Sequence, residues 1–197
     1  MAIPSPLLPY SPADYLALER SAESKSEYID GVIVAMAGAS HEHSLIASNL
    51  IGELRTALRR EPCEVHGGDL RVSVPIAALY TYPDATVVCG EPAFEDNAAD
   101  TLTNPTVITE VLSPATEAYD RGEKFARYRT LPSLRTYILV SQDRLRVEWY
   151  TRGESGWLLH EASGPDGSVE LAALGCTLAL AEVYAKLKFT PEQQLDE

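Results

Sequence analysis

Thr106-Val107-Ile108-Thr109-Glu110-Val111-Leu112-Ser113 is the stretch on which the fold turns. From Thr106 to Leu112 it is nearly all apolar or β-branched. A strand of that kind is buried on both faces and belongs at the centre of a sheet flanked by helices. One carboxylate, Glu110, sits inside it. An unpaired carboxylate at such a position would cost several kcal/mol even after relaxation. Something must compensate for it: a cation, a metal ion, a proton, or the exposed end of the strand. An ion pair or a strand-end surface position is the plain alternative to a functional site.

Reading outward places the other elements. Downstream, Ser113-Pro114 is a short turn, and Thr116 to Thr130 reads as a helix with Thr116 as its cap. Tyr137 to Val140 is a second buried strand. Arg144 to Thr151 and Trp157 to Ala162 form an antiparallel pair around Gly153 and Gly156, with Trp149 and Trp157 packing it, and Ala181 to Phe189 closes as a helix. Upstream lie strands at Asp84 to Cys89, Leu70 to Val74 and Cys63 to Val65, preceded by a long helix over Ser40 to Arg60. That helix carries an apolar stripe of Leu45, Ile46, Leu50, Leu54, Ala57 and Leu58. Glu27-Tyr28-Ile29, Asp30-Gly31 and Val32 to Met36 form a hairpin, because Asp-Gly supplies the positive φ angles of a tight primed turn. Ser11 caps a first helix over Ser11 to Arg20, with Pro12 in its first turn. Strands and helices alternate, yet hairpins stand at both ends. The expectation is therefore a mixed-sheet α/β (α+β) domain, not a doubly wound parallel one. There is no internal repeat or long linker. The expected boundaries are an extended proline-bearing arm over 1–10, one domain over 11–189 and an acidic flexible tail over 190–197.

Composition sets limits on function. The chain has 197 residues, a formal net charge of −13, 45% hydrophobic and 23% charged residues. It is globular in composition. No apolar run approaches the ~20 residues that span a bilayer, and no basic-then-apolar leader opens it, so no membrane is expected. Cys63, Cys89 and Cys176 are scattered and odd in number, which argues against a disulfide framework or paired zinc ligands and for a reducing cytoplasm. The acidic sum argues against a tight coat of nucleic acid. Its distribution qualifies that. Arg71 to Arg121 encloses no Lys or Arg but eight carboxylates, while Glu117 to Glu148 holds seven basic and five acidic residues. Arg121, Lys124, Arg127 and Arg129 would give one helix a basic edge, able to hold DNA weakly and with salt sensitivity.

The candidate chemistry centres on two carboxylates. Asp84, after Tyr82-Pro83, could simply cap a turn. Paired with Glu110 from a neighbouring strand, it supplies two hard oxygen donors with open positions, the pattern of a Mg²⁺ site. In the helix of Asp120-Arg121-Gly122-Glu123-Lys124-Phe125-Ala126-Arg127-Tyr128, the residues Asp120, Lys124 and Tyr128 recur at four-residue spacing on one face. That face is either a solvated ion-paired surface or aimed at the carboxylates. His41 and His43, two apart at a helix start, make a poor metal pair; His43 is a candidate substrate contact or a satisfied interior histidine. Asp69, after Gly67-Gly68, is either a third acidic neighbour or a turn-closing residue. No glycine-rich phosphate loop, nucleophile elbow or His-Glu-x-x-His motif occurs.

Taken in order, Glu27-Tyr28-Ile29-Asp30-Gly31, His43, Pro83-Asp84, Glu110-Val111-Leu112-Ser113-Pro114, Tyr119-Asp120-Arg121-Gly122-Glu123-Lys124 and Tyr128 resemble the Uma-two family. These are small bacterial proteins placed among the restriction endonucleases of the PD-(D/E)xK superfamily. The resemblance runs from about Ser11 to Lys188. It implies a restriction-endonuclease-like mixed sheet flanked by helices. It also implies Asp84, Glu110 and the Val111 carbonyl as metal donors, and Glu27 as an auxiliary acid. The superfamily's lysine two residues beyond the Glu is Leu112 here, and the resemblance implies that Lys124 takes its place. Asp69, His43 and Tyr128 are the accessory candidates.

The expected function is a Mg²⁺-dependent endonuclease, with Mn²⁺ able to substitute, hydrolysing DNA phosphodiesters. The partner is DNA, bound weakly and with metal, and the superfamily analogy implies a homodimer. A catalytically silent nuclease-like module that binds a protein or nucleic acid is the first competitor, and a hydrolase of small phosphoesters is the second.

Overall fold

The computed structural model describes residues 9–189, so the tail over 190–197 and most of the arm over 1–10 lie outside the described residues. Pro9 and Tyr10, the described end of that arm, are tied down. The Tyr10 N–H donates to the Gly31 carbonyl at 2.9 Å, and the Tyr28 hydroxyl donates to the Tyr10 carbonyl at 2.9 Å.

The first helix, α1 (Pro12–Glu19), begins where the sequence says. Ser11 and Asp14 form a reciprocal capping box, which satisfies amide groups that the first turn leaves unpaired. Strands β1 (Ser26–Ile29) and β2 (Val32–Ala35) form the expected hairpin, with Asp30 at φ 49° and Gly31 at φ 90°. Gly31 is required twice over, since a Cβ there would lie 2.4 Å from the Pro9 Cβ. Helix α2 (His41–Ala57) is capped by Ser40 and buries Ile46, Leu50 and Leu54.

Two sheets follow, where one was expected. Strands β3 (Cys63–Gly67), β4 (Arg71–Val74), β5 (Leu79–Thr81), β6 (Ala85–Cys89), β7 (Thr101–Leu102), β8 (Val107–Leu112), β9 (Thr136–Ser141), β10 (Arg146–Arg152) and β11 (Trp157–Ser163) divide between them. A six-stranded sheet runs β11-β10-β9-β8-β6-β3, and a five-stranded one runs β2-β1-β5-β4-β7. Within the six-stranded sheet β8 and β9 are parallel and the other pairs antiparallel, so it is mixed as expected. The brevity of β5 and β7 hides them in the sequence. So does that of a late hairpin, β12 (Ser168–Leu171) with β13 (Cys176–Ala179).

The strand that opened the argument is central. β8 lies between β6 and β9, and all six of its residues are buried. Val107 and Val111 face a core shared with α2, the β12–β13 hairpin and α5 (Leu180–Val183). Ile108 and Leu112 face a second core built with Val72, Val74 and Leu79 of the other sheet and with Phe125, Tyr128 and Leu131. Alternation therefore turns Glu110 towards this second core.

Two expectations need correction. Cys63 and Cys89, directly opposed in the β3–β6 register, form a disulfide, and among the described residues only Cys176 is free. An odd count says nothing about a single cross-strand pair. The closing helix is also shorter than Ala181 to Phe189. The Asn49 side chain donates to the carbonyls of Val183 and Ala185, ending α5 after one turn, and Lys186 takes φ 69°.

Candidate functional site

The chain crosses from one sheet to the other at Tyr82-Pro83-Asp84, between β5 and β6. Pro83 has no N–H to donate, and the β6–β8 register runs only from Val87↔Val107 to Ala85↔Thr109. Beyond it the backbone ladder is open, and the Asp84 side chain fills the gap. Its Oδ2 accepts the Val111 N–H at 2.7 Å. The N–H and C=O of one strand residue point to the same side, so the Val111 carbonyl is turned towards Asp84 as well. Asp84 Oδ1 lies 2.7 Å from His43 Nε2.

The segment after β8 is helical from 117 to 128 but not uniformly so. An α-helical turn, α3 (Glu117–Tyr119), passes into a π-helical stretch at Asp120–Lys124 and back into α4 (Phe125–Tyr128). In a regular α-helix, 3.6 residues per turn let positions eight apart drift by about 80°. The wider π-turn takes back part of that drift, and such turns recur at functional sites. Asp120, Lys124 and Tyr128 are accordingly all buried, on the side facing Glu110.

Lys124 Nζ is 2.9 Å from Glu110 Oε1, 3.3 Å from Glu27 Oε1 and 3.5 Å from Asp120 Oδ1. The Tyr128 hydroxyl donates to Glu110 Oε1 at 2.7 Å. The Thr81 hydroxyl donates to Glu27. Three carboxyl groups thus surround one ammonium. Burial, then repulsion from Asp120, Asp84 and Glu27, pushes Glu110 well above the usual carboxylate range, although Lys124 pulls it down. Burial raises Asp120 too. For Lys124 burial favours loss of the proton, but Glu110, Glu27 and Asp120 outweigh it and hold the lysine's pKa well above its ordinary value. The hydrogen bond to Asp84 raises the pKa of His43, against its burial.

The structure therefore gathers Glu27, Glu110, Lys124 and Tyr128 in direct contact. It sets Asp84 with Val111 and His43 beside them. Leu112, where the superfamily carries its lysine, is buried in the second core. Asp69 is not drawn into the cluster: it lies in the β3–β4 turn with its side chain 97% exposed, paired with Lys25. Asp120 and Thr81 also belong to the cluster. The four-residue spacing to Lys124 was a signal for Asp120; Thr81 sits on a strand too short to read.

Of the basic edge expected on this helix, Arg129 is exposed, Lys124 is buried, and the other two arginines are engaged. Arg121 binds Glu117 at 2.7 Å and Glu148 at 2.5 Å. Arg127 binds Asp30, Glu123 and the Ala77 carbonyl. The acidic loop of 91–100 is likewise engaged: Asp96 and Asp100 hold Arg20, and Asp100 also reaches Arg71 at 3.1 Å. Arg71 is buried and donates to the Tyr82 hydroxyl, which donates to Glu19. This chain of contacts anchors the segment that delivers Asp84. The late tryptophans pack as expected: Trp149 stacks on His160, and Trp157 meets the edge of Phe125.

A mixed sheet with a buried Glu in its central strand, an Asp at the mouth of the next strand and a Lys from the following helix defines a restriction-endonuclease-like fold. The crystal structure of "a putative nuclease belonging to DUF820" from Anabaena variabilis superposes with a TM-score of 0.72, covering 88% of this chain and 96% of that one at 20% identity. The sequence profile of the Uma2 family, described as "Putative restriction endonuclease", matches residues 12–181. Two uncharacterized proteins of Synechocystis sp. (strain ATCC 27184 / PCC 6803 / Kazusa) are also similar. One, sll1609, is 38% identical over 161 residues, 81% of this chain and 91% of its own. The other, slr1290, is 36% identical over 189 residues, 94% of this chain and 98% of its own. The chain belongs to the Uma2 family.

Proposed function

We propose that this protein is a Mg²⁺-dependent endonuclease that hydrolyses DNA phosphodiester bonds, with Mn²⁺ able to replace Mg²⁺. The observation that carries the reading is the charge imbalance at the site: Glu27, Glu110 and Asp120 around Lys124, with Asp84 close enough to repel Glu110. Among the described residues no group of three or more His, Cys, Asp or Glu side chains is arranged to hold a metal ion. The reading therefore rests on two carboxylates and one carbonyl, a donor set that only an ion keeping several waters, such as Mg²⁺, would accept. Asp84, Glu110 and the Val111 carbonyl would hold the ion. When bound, it supplies charge neutralisation at the phosphoryl group and acidifies water.

The chain's own groups do the rest. Lys124 keeps its proton and presents a fixed positive charge, which stabilises negative charge developing on the phosphate. Glu27 and Asp120 hold that ammonium in place. Tyr128 fixes the Glu110 carboxylate from behind. Lys124 Nζ lies 2.9 Å from Glu110 Oε1, so a lysine meets the proposed metal donor although position 112 is Leu, which supports an enzyme over a silent module. Because Arg121 and Arg127 are engaged by carboxylates, DNA binding in this reading is weak, metal-dependent and salt-sensitive. We place the protein in the cytoplasm, on the ground of its proposed DNA substrate alone, since the Cys63–Cys89 disulfide removes the cysteine argument for a reducing compartment. Among the described residues no helix is long and apolar enough to cross a membrane.

The test is cleavage of plasmid and single-stranded DNA with Mg²⁺ or Mn²⁺, comparing wild type with Asp84→Ala and Glu110→Ala. Both substitutions should abolish cleavage. Persistence of activity in both would overturn the assignment.

A further inference from the structure

The Asp84 carboxylate is held at both oxygens. Oδ2 takes the Val111 N–H where the β6–β8 ladder opens. Oδ1 faces His43, whose side chain is only 18% exposed. The two anchors differ in origin. Val111 belongs to the central strand. His43 belongs to the first turn of α2.

The first turn of α2 is built to keep that ring still. The Ser40 hydroxyl accepts the His43 N–H at 3.1 Å and donates to the Gln142 side chain at 3.1 Å. His43 also continues the buried stripe. Ile46, Leu50 and Leu54 follow at three, seven and eleven residues, all at 1% exposure or less. A donor on a helix clamped in this way cannot follow a wandering carboxylate, so the carboxylate must come to it.

We infer that His43 is a positioning residue, whose Nε2–H fixes the Asp84 carboxylate in the single orientation that can receive a divalent cation. The inference rests on the reading of Asp84 as a metal donor and adds to it the group that sets its geometry. Either a neutral ring protonated at Nε2 or the imidazolium can make this bond, so no titration of His43 is needed. A carboxylate oxygen has two lone pairs, so the hydrogen bonds to His43 and Val111 leave one on each oxygen for a cation. Partners that orient a ligand from behind typically account for 10–100-fold in metal affinity.

The experiment uses the full chain and Mn²⁺ alone, titrated calorimetrically into wild type, His43→Leu, His43→Gln and Asp84→Ala. Thermal unfolding and hydrogen exchange of the Val111 amide are followed without metal. Leucine keeps the bulk and removes the donor, whereas the glutamine amide restores an N–H at similar reach. The expected result is a loss of Mn²⁺ affinity of about 10–100-fold in His43→Leu, with faster Val111 exchange, and recovery of both in His43→Gln. Equal loss in the leucine and glutamine variants would mean that His43 is itself a ligand or a packing residue, and overturns the inference. So does wild-type affinity in His43→Leu while Asp84→Ala has lost binding, which leaves the metal reading standing. If wild type binds no Mn²⁺, or Asp84→Ala binds it as well as wild type, the metal reading itself fails and the inference goes with it.

Discussion

Lys124→Met tests the electrostatic core of the site without touching the proposed metal donors. Methionine keeps an unbranched apolar stem of similar volume, so packing changes little and the ammonium is the main loss. The three contacts at 2.9, 3.3 and 3.5 Å correspond to attractions of about 5 kcal/mol each at an effective dielectric near 20 when the acid is ionised, which the raised Glu110 and Asp120 are only in part. Those gross values are offset by the cost of burying the lysine and by repulsion among the acids. What survives on removing one partner of a buried pair is about 3–5 kcal/mol, because the other charges are left buried and unpaired. For a chain of this size 1 kcal/mol moves the melting temperature by about 2–4 °C. Lys124→Met should therefore melt roughly 6–20 °C below wild type. Thermal and urea unfolding at pH 7.5 measure it. A second substitution, Glu27→Gln, removes one of the stranded carboxylates and should return part of the loss. If Lys124→Met is as stable as wild type, the ammonium is not compensating buried carboxylates and the charge argument for the site collapses.

Three further outcomes are expected. Cys63→Ser opens a loop with a sequence separation of 26; the chain-entropy estimate for that length is about 3.5 kcal/mol. Unfolding with and without reductant, alongside a count of free thiols, checks it, and an unreduced wild type showing three reactive thiols would refute the pairing. Arg20→Gln should lower stability at neutral pH and converge with wild type in acid. Hydrogen bonds from Arg20 depress the carboxyls of Asp96 and Asp100, so their contribution is present above the unfolded value of about 3.9 and is lost as pH falls through the lower folded values. Melting curves from pH 6 to pH 2 that stay parallel would contradict this. Deleting Gly122 should turn the π-turn into plain α-helix, and because three α steps of about 100° replace four π steps of about 82°, Asp120 and Lys124 should turn by about 30° relative to each other. Far-UV circular dichroism should be preserved while Mn²⁺-dependent DNA cleavage falls at least about tenfold, and undiminished cleavage would show that the π-turn has no part in the site.

What was legible in the sequence followed from periodicity and local caps. The run from Thr106 to Leu112 announced a strand buried on both faces, and it occupies the middle of the six-stranded sheet. Ser11 and Asp30-Gly31 marked a helix start and a turn by chemistry confined to a few residues. What stayed hidden depends on distant pairing. β5 and β7 have three and two residues, too few for alternation to register, so the second sheet could not be inferred. The Cys63–Cys89 bond needs the β3–β6 register, which no local pattern encodes. The charges of the 117–128 helix were visible, but their partners Asp30 and Glu148 come from elsewhere in the chain, so an edge that looked free is engaged at Arg121 and Arg127.

The partners of those charges also explain why a net charge of −13 is compatible with a nucleic acid substrate. Arg20, Arg71, Arg121 and Arg127 all sit against carboxylates. The surplus acid is thus partly structural, spent on holding loops and helix ends in place. At the cluster the imbalance has a different meaning. Three carboxyl groups share one lysine in a buried space, and Asp84 adds a fourth nearby. A site arranged like this repels a polyanion by itself. With a divalent cation bound, the local balance shifts towards neutrality and a phosphate can approach. The same acidity that opposes binding of DNA by the bare protein would then make association conditional on the ion. Adding Mg²⁺ should therefore raise DNA affinity by more than screening salt lowers it at equal ionic strength, whereas equal effects of Mg²⁺ and Na⁺ at matched ionic strength would exclude that coupling.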